Sequence, residues 1–249
     1  MIQSPIVKVL STIREHGVKA LLMGGQACIF YGAAEFSKDA DIVLLAEAEN
    51  VDRLRAALAE LKARQRYVPA LDLDALERGH GIHFTCAIAE PQAVRLDVMS
   101  KLRGVDSFEL LWTRRTTFQD HDGNIYDVLG LEDLVKAKKT RRAKDWPMVA
   151  RLLEANYIEN FSEPTNEQLQ FWLREMRTAA YLIQIARAYP EATHNAARGR
   201  PLLRIAITGD EAALDDALFD EEREQRRIDR EYWNPLLQEL ERLRRARGG

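Results

Sequence analysis

Two aspartates separated by one residue, Asp39 and Asp41, run directly into the apolar segment Ile42–Leu45. In a strand, side chains at i and i+2 point to the same face. Any fold that uses this segment as a buried strand must therefore set two carboxylates side by side at its mouth, where they repel each other. A divalent cation relieves that repulsion, and carboxylate oxygens without imidazole or thiol neighbours suit a hard ion. The ordinary alternative is that Asp39 caps a turn and Asp41 is the first exposed strand residue. Upstream, the apolar run Val18–Met23 reads as a buried strand that ends at Gly24-Gly25, with a short helix predicted over Gln26–Tyr31. A strand, a Gly-Gly turn and a helix place free backbone N–H groups where they suit a phosphate, although the same pattern also serves as a tight turn. A third carboxylate, Asp97, sits in Arg95-Leu96-Asp97-Val98-Met99. Leu96 and Val98 point to one face and Asp97 to the other. A carboxylate in the middle of an apolar strand is costly unless it is paired or ligates a metal, and Arg95 and Lys101 are candidate ion-pair partners.

Around this segment the chain reads as a mixed half followed by a helical half. Ile6, Val9, Leu10 and Ile13 recur at helical spacing after Ser4 and Pro5, and Gly17 ends the run. Val51, Leu54, Leu58 and Leu61 form a stripe that predicts a helix over Asn50–Arg66. Pro69–Gly81 is polar and irregular, a loop with a helical turn. Ile82–Ala89 and Ala93–Met99 are strand-like runs joined at Glu90-Pro91-Gln92, and Thr116–Gln119 and Ile125–Val128 flank an Asp122-Gly123 turn. From Leu131 on there is no strand signal. Helices are predicted over Leu131–Arg142, over Trp146–Tyr157 and from Thr165 to Ala188, the last opened by a Thr165/Gln168 capping box. A loop over Glu191–Pro201, a helix over Leu202–Ile207 and a last helix from Asp210, broken at Asn234-Pro235, complete the chain. The fold class is therefore α+β, with a boundary near residue 130 between a mixed-sheet domain, 1–130, and an all-α domain, 131–249.

The order of these pieces resembles one family. Nucleotidyltransferases of the polymerase-β-like superfamily carry an apolar residue, then Gly-Gly or Gly-Ser, then Asp-x-Asp or Asp-x-Glu on a strand, and a third carboxylate on a later strand. Here the pattern reads Met23-Gly24-Gly25, thirteen residues, Asp39-Ala40-Asp41-Ile42, and then Asp97. Ser37-Lys38-Asp39 is similar to the lead-in of the bacterial branch that includes AbiEii-type toxins and related stand-alone enzymes. Glu132-Asp133-Leu134 with Lys138, followed by Arg142-Ala143-Lys144-Asp145, continues that likeness. The resemblance spans residues 18–157 and does not extend beyond residue 160. It implies a mixed-sheet nucleotidyltransferase domain whose active site is completed by residues 131–157, leaving 160–249 for acceptor or partner binding. It implies transfer of a nucleoside monophosphate from an NTP such as ATP to an acceptor hydroxyl on tRNA or protein, with two Mg²⁺ ions on Asp39, Asp41 and Asp97. Gly24, Gly25, Ser37, Lys38, Lys138, Arg142 and Asp145 become the nucleotide-binding residues, with Lys138 contacting the triphosphate. Lys138 and Arg142, four apart, are expected on one face of the predicted helix. A toxin-like role and a cognate antitoxin follow from the branch alone. One departure stands out: members of the branch often carry Arg four residues before the first motif aspartate, and this chain has Glu35 there. An acid at that place repels a triphosphate, which keeps open a non-catalytic nucleotide-, nucleic-acid- or partner-binding module as the alternative.

Composition sets limits on both readings. With 36 Lys+Arg against 39 Asp+Glu, the net charge of −3 gives no global pull toward nucleic acid. Two cysteines, Cys28 and Cys86, build neither a disulfide framework nor a four-thiolate zinc site; they are expected to be buried and inert in a cytoplasmic protein. No apolar stretch approaches the ~20 residues that span a bilayer, and Arg14, Glu15 and His16 interrupt the first helix too early for a signal-peptide core. His80, His83 and His121 lack metal-ligand spacing and read as loop or packing residues. Leu169, Trp172, Leu173, Met176, Ala180 and Ile183 read as helical core. Asp220–Gly249 holds eight acidic residues and eight arginines. It reads as a salt-bridge-laced helix or, around Arg242, Arg244, Arg245 and Arg247, as a phosphate-contacting surface.

Overall fold

The computed structural model describes residues 4–89 and 92–248; the Glu90-Pro91 turn lies outside the described residues. The architecture is α+β in two units, one built from the chain up to Ala137 together with the chain from Glu231 on, the other from Lys138–Arg230. The first unit contains α1 (Ser4–Glu15), β1 (Ala20–Met23), α2 (Gly24–Phe30), β2 (Asp39–Leu44), α3 (Ala48–Glu60), β3 (Arg64–Gln65), α4 (Leu73–Arg78), β4 (Ile82–Ala89), β5 (Gln92–Met99), α5 (Phe108–Thr113), β6 (Thr116–Gln119) and β7 (Ile125–Val128). Its strands form one mixed sheet in the order β3-β4-β5-β2-β1-β7-β6. β2 is parallel to β5 and antiparallel to β1, so the Asp-x-Asp strand lies in the sheet interior.

The apolar side of that sheet explains its register. Ala40, Ile42 and Leu44 of β2, Leu96 and Val98 of β5, and Ile82, Phe84 and Cys86 of β4 are all buried. Ala40 is paired with Leu96, Ile42 with Val98 and Phe84 with Leu96, which puts them on one face. α1, with Ile6, Val9 and Ile13 buried, packs against β4, β5 and α3. Each large apolar side chain withdrawn from water contributes about 1.5–3 kcal/mol. A slip of one residue would swap Asp39 and Asp41 into this layer, so the register is strongly specified. Buried Asn50 pins the far ends of β1 and β2, donating to Lys19 O (3.0 Å) and Leu45 O (2.8 Å) and accepting from Lys19 N (2.8 Å). Cys28 and Cys86 are both buried, and burial pushes the Cys86 thiol up to about 11, which makes it a poor nucleophile.

α6 (Leu131–Lys138) leads into the second unit, which holds α7 (Trp146–Asn160), α8 (Asn166–Glu175), α9 (Ala179–Ala188), α10 (Pro190–Ala196), α11 (Leu203–Thr208) and the first part of α12 (Glu211–Gly248). The capping box forms as expected: Thr165 Oγ1 accepts from Gln168 N at 3.2 Å, and Gln168 Oε1 accepts from Thr165 N at 2.8 Å. Trp172 is fully buried, donating to Asn156 Oδ1 at 2.9 Å and lying edge-on to Tyr157.

Several elements depart from the sequence pattern, each for a local reason. α3 stops at Glu60; Lys62 turns into the left-handed region (φ 47°), and Arg64-Gln65 pair with β4 as an exposed edge strand without apolar alternation. α5, unpredicted, is a six-residue helix that buries Phe108 and Leu111. α6 ends at Lys138 rather than Arg142: Arg142 is extended (φ −84°, ψ 119°), and Thr140 is held by Trp146 Nε1 on its carbonyl (2.9 Å) and by Arg142 N on its hydroxyl (3.1 Å). Lys138 and Arg142 therefore share no helix face. The helix expected from Thr165 to Ala188 is two, because Met176 is extended (ψ 136°) and Arg200 takes the carbonyls of Leu173 (3.0 Å) and Met176 (2.9 Å). Pro190 opens α10 instead of leaving a loop, since its fixed φ suits a first helical position. α12 continues through Pro235, which lies at an exposed position of the helix. Among the described residues, no helix is long and apolar enough to cross a membrane.

Candidate active site

β2 and β5 carry the three acids to one side of the sheet. Asp41 is paired with Asp97 and Asp39 with Arg95 across the parallel ladder, and β4 pairs His83 with Asp97. Directly paired residues share a face. Asp39, Asp41, Asp97, Arg95 and His83 thus lie together, half-buried, on the side of the sheet opposite the apolar layer. This is the arrangement that the spacing of Asp39 and Asp41 requires.

The Gly-Gly pair owes its identity to the acid beside it. Gly24 has φ +69°, and a Cβ added there would lie 2.0 Å from Asp41 Oδ2, 2.5 Å from its Cγ and 2.7 Å from its Cβ. A Cβ on Gly25 would lie 2.5 Å from Ser37 Oγ. The two glycines form the first residues of α2, not a turn ahead of it. They let the backbone of α2 lie directly against Asp41 and Ser37. Gln26, fully buried, then fastens the approach to β2: its Nε2 donates to Ser37 O (2.9 Å) and Asp39 O (3.3 Å). Among the described residues Gln26 Oε1 has no partner.

Asp97 is the most constrained of the three acids. Its Oδ1 accepts from Arg95 Nε at 2.8 Å and shares a 2.7 Å hydrogen bond with His83 Nδ1; its Oδ2 accepts from Arg95 Nη2 at 2.6 Å. Burial pushes the Asp97 carboxyl up, but the hydrogen bonds from His83 and Arg95 outweigh it and hold the group below the ordinary carboxylate range. The same hydrogen bond raises the Arg95 guanidinium, and the charges of Asp97, Asp39 and Asp41 add to it. The ion-pair partner considered in the sequence, Arg95, is therefore the one Asp97 uses. His83, read from the sequence as a loop or packing residue, is instead a strand residue facing this site. Exposed Tyr67 lies edge-on to it at 5.9 Å, with the Arg66 guanidinium 5.6 Å from the Tyr67 ring centroid.

These donors suit Mg²⁺ in part. That ion binds through one or two carboxylates together with waters and substrate phosphates, and Asp39 and Asp41 offer half-buried oxygens on one face. Both Asp97 oxygens are engaged by protein donors, and among the described residues no three His, Cys, Asp or Glu side chains close into a metal cage.

The remaining candidates divide by unit. Ser37 is half-buried, with its hydroxyl donating to Asp39 O at 3.3 Å, while Lys38 and Glu35 are exposed on the same connection. Lys138, Arg142 and Asp145 belong to the second unit. There Asp145 is buried, accepting from Arg142 Nε at 2.9 Å and from the Thr140 hydroxyl. Gln26 and His83 are the site residues that sequence reasoning missed. The signal for His83 was its place in the strand that pairs with the Asp97 strand; Gln26 directly follows the glycines. In comparison with known proteins, no family model matches the chain and no curated protein matches it.

Proposed function

We propose that this chain is a Mg²⁺-dependent nucleotidyltransferase that moves a nucleoside monophosphate from an NTP to an acceptor hydroxyl. The observation that carries the reading is the fit of Gly24 against Asp41 on the face that also presents Asp39 and Asp97. A glycine shaped to a single carboxylate, at the mouth of a strand that carries two on one half-buried face, supports a role for those carboxylates in binding a cation. Asp39 and Asp41 would hold the ion, whose positive charge would offset the negative charge on the transferring phosphoryl group and on the pyrophosphate that leaves. Gln26 and Ser37 keep the start of β2 in place, so the two carboxylates are positioned before substrate arrives. Asp97 fixes the His83 imidazole on the same face through Nδ1. The pair is the base this face offers to an acceptor hydroxyl. The resemblance alone assigns Lys138 and Arg142 to the triphosphate, and it suggests tRNA or protein as acceptor.

The engagement of Asp97 by Arg95, together with the exposed acid Glu35, favours the second reading, a binding module on the same fold that does not turn over. One assay separates them. Purified protein is incubated with each labelled NTP, Mg²⁺ and total RNA or lysate protein, alongside Asp41→Asn. Label transfer that falls by orders of magnitude in folded Asp41→Asn supports the enzyme. Nucleotide binding indifferent to Mg²⁺, with no transfer by the wild type, supports the module and overturns the proposal.

A further inference from the structure

We propose that the β3 edge of the sheet binds a single-stranded nucleic acid and leads its end along the polar face to Asp39 and Asp41. The register sets the path in two rows. Arg64 is paired with Thr85, Thr85 with Arg95 and Arg95 with Asp39. The same ladder, continued by Arg66 N donating to His83 O at 2.9 Å, sets Arg66 beside His83, His83 opposite Asp97 and Asp97 opposite Asp41. Directly paired residues share a face, so the face that carries acids at β2 carries two arginines at β3. Three strand steps of ~4.8 Å separate them, roughly 14 Å in all. A stacked strand covers that span with no more than about four nucleotides, at ~3.4 Å each.

The chemistry of the edge points to the occupant. Arg64 and Arg66 are exposed and form no ion pair among the described residues. Arg95, by contrast, is taken by Asp97. The two β3 arginines are thus open to an outside anion, and they stand away from the acids that would repel it. Beside them Tyr67, 46% exposed, lies edge-on to His83, with the Arg66 guanidinium 5.6 Å from its ring centroid. Cations that reach phosphates next to a ring on which a base can stack are the combination that holds single strands without reading their sequence. A duplex keeps its bases stacked inside and offers Tyr67 no face. A peptide is the other polymer that an exposed sheet edge attracts. β3 has only two residues, Arg64 and Gln65, too short a row of N–H and C=O groups to hold an added strand. An acidic peptide would meet the arginines and leave the ring without a role. The binding stands apart from the nucleotidyltransferase reading; that the bound strand is the acceptor rests on that reading.

Fluorescence anisotropy of the full chain with a labelled single-stranded RNA of about ten nucleotides, in EDTA and without NTP, tests the surface over a range of salt. Neither metal nor turnover enters, so a failure here is distinct from a failure of label transfer. The variants are the double substitution Arg64→Gln with Arg66→Gln, and singly Tyr67→Ala and Tyr67→Phe. Arg198→Gln is the control, removing one exposed charge from the helical unit. All alter exposed side chains, and each variant should keep the wild-type melting temperature. The expected result is saturable binding that weakens with salt. The double arginine variant should bind less tightly and flatten the slope of log affinity against log salt by about 1.4, two phosphate contacts at ~0.7 each. Tyr67→Ala should weaken binding about fivefold or more at an unchanged slope, while Tyr67→Phe retains it. Arg198→Gln should leave affinity and slope alone. No saturable binding, or losses in the edge variants no larger than in Arg198→Gln, overturns the inference. So does an oligoglutamate of equal charge that competes on equal terms, which would mark the edge as a peptide surface instead.

Discussion

Replacing Gly24 with Ala tests the geometry on which the candidate site rests. Two costs are built into that position. The backbone has φ +69°, and a residue with a Cβ loses about 1–2 kcal/mol in the left-handed region. The new Cβ would also lie within 2.7 Å of three atoms of Asp41, its Cβ among them, so the carboxylate must rotate away and the backbone must also shift. An off-rotamer side chain adds about 0.5–1.5 kcal/mol. Together these lower the melting temperature of a chain of this size by roughly 3–14 °C, at about 2–4 °C per kcal/mol. Gly104→Ala is the matched control, because Gly104 has φ +76° with nothing within 4 Å of its would-be Cβ. It carries the backbone cost alone. Thermal unfolding of both variants, followed by far-UV circular dichroism, isolates the Asp41 clash as their difference. The same pair in the label-transfer assay should show loss of transfer in Gly24→Ala and not in Gly104→Ala. If Gly24→Ala melts no lower than Gly104→Ala, Asp41 is not seated against the α2 backbone and the reasoning fails.

Two further outcomes concern the helical unit. Thr165→Ala removes the oxygen that accepts from Gln168 N and should lower stability by about 1 kcal/mol in urea denaturation, with Thr165→Ser restoring most of it; no change would mean the capping box contributes nothing. Burial pushes the Glu221 carboxyl up, but the hydrogen bond from Arg200 and the charges of Arg200, Arg177 and Lys139 outweigh it and hold the group below its ordinary value. The folded protein therefore binds fewer protons there than the unfolded chain at acid pH, so the contribution is complete above the unfolded pKa of about 4.3 and lost as pH falls through the folded value. Glu221→Gln should accordingly melt lower than wild type at pH 7, with the gap narrowing from pH 5 to pH 3; a gap constant across that range would contradict the assignment.

The sequence made the sheet face readable because it is written in two short-range rules. Asp39 and Asp41 share a face by strand period, and Ile42, Leu96 and Val98 define the opposite one. The hairpin runs, the Asp-Gly turn and the Thr165 capping box are equally local, and all appear in the structure. What escaped prediction depends on partners distant in sequence. The break between α8 and α9 is invisible in a continuous helical stripe, because its cause is Arg200 taking carbonyls more than twenty residues upstream. Arg64-Gln65 join the sheet only through β4, with no apolar alternation of their own. His83 was misjudged because the test applied to it was metal-ligand spacing along the chain, whereas its partner lies across the ladder at Asp97. Gly24 was recognised as a motif member, but the reason it must be glycine is an atom of Asp41, seventeen residues away.

The acidic face raises the question of how one sheet tolerates three carboxylates in register. Arg95 answers it. It stands two residues before Asp97 on the same strand, hence on the same face, and opposite Asp39 across the ladder. Its guanidinium holds both Asp97 oxygens while lying within the fields of Asp39 and Asp41. Arg95 is more than a third exposed beside a mostly buried Asp97, so removing it strips a partly buried carboxylate of its guanidinium donors and costs stability before any ligand binds. It also has a chemical consequence on the proposed reading. With Asp97 committed to Arg95 and His83, the proposed reading assigns a cation to Asp39 and Asp41. Two carboxylates alone are a weak site for Mg²⁺, which completes its shell from substrate phosphates. On that reading ion and nucleotide would bind as a unit, each supplying what the other lacks, while Asp97 stays with His83.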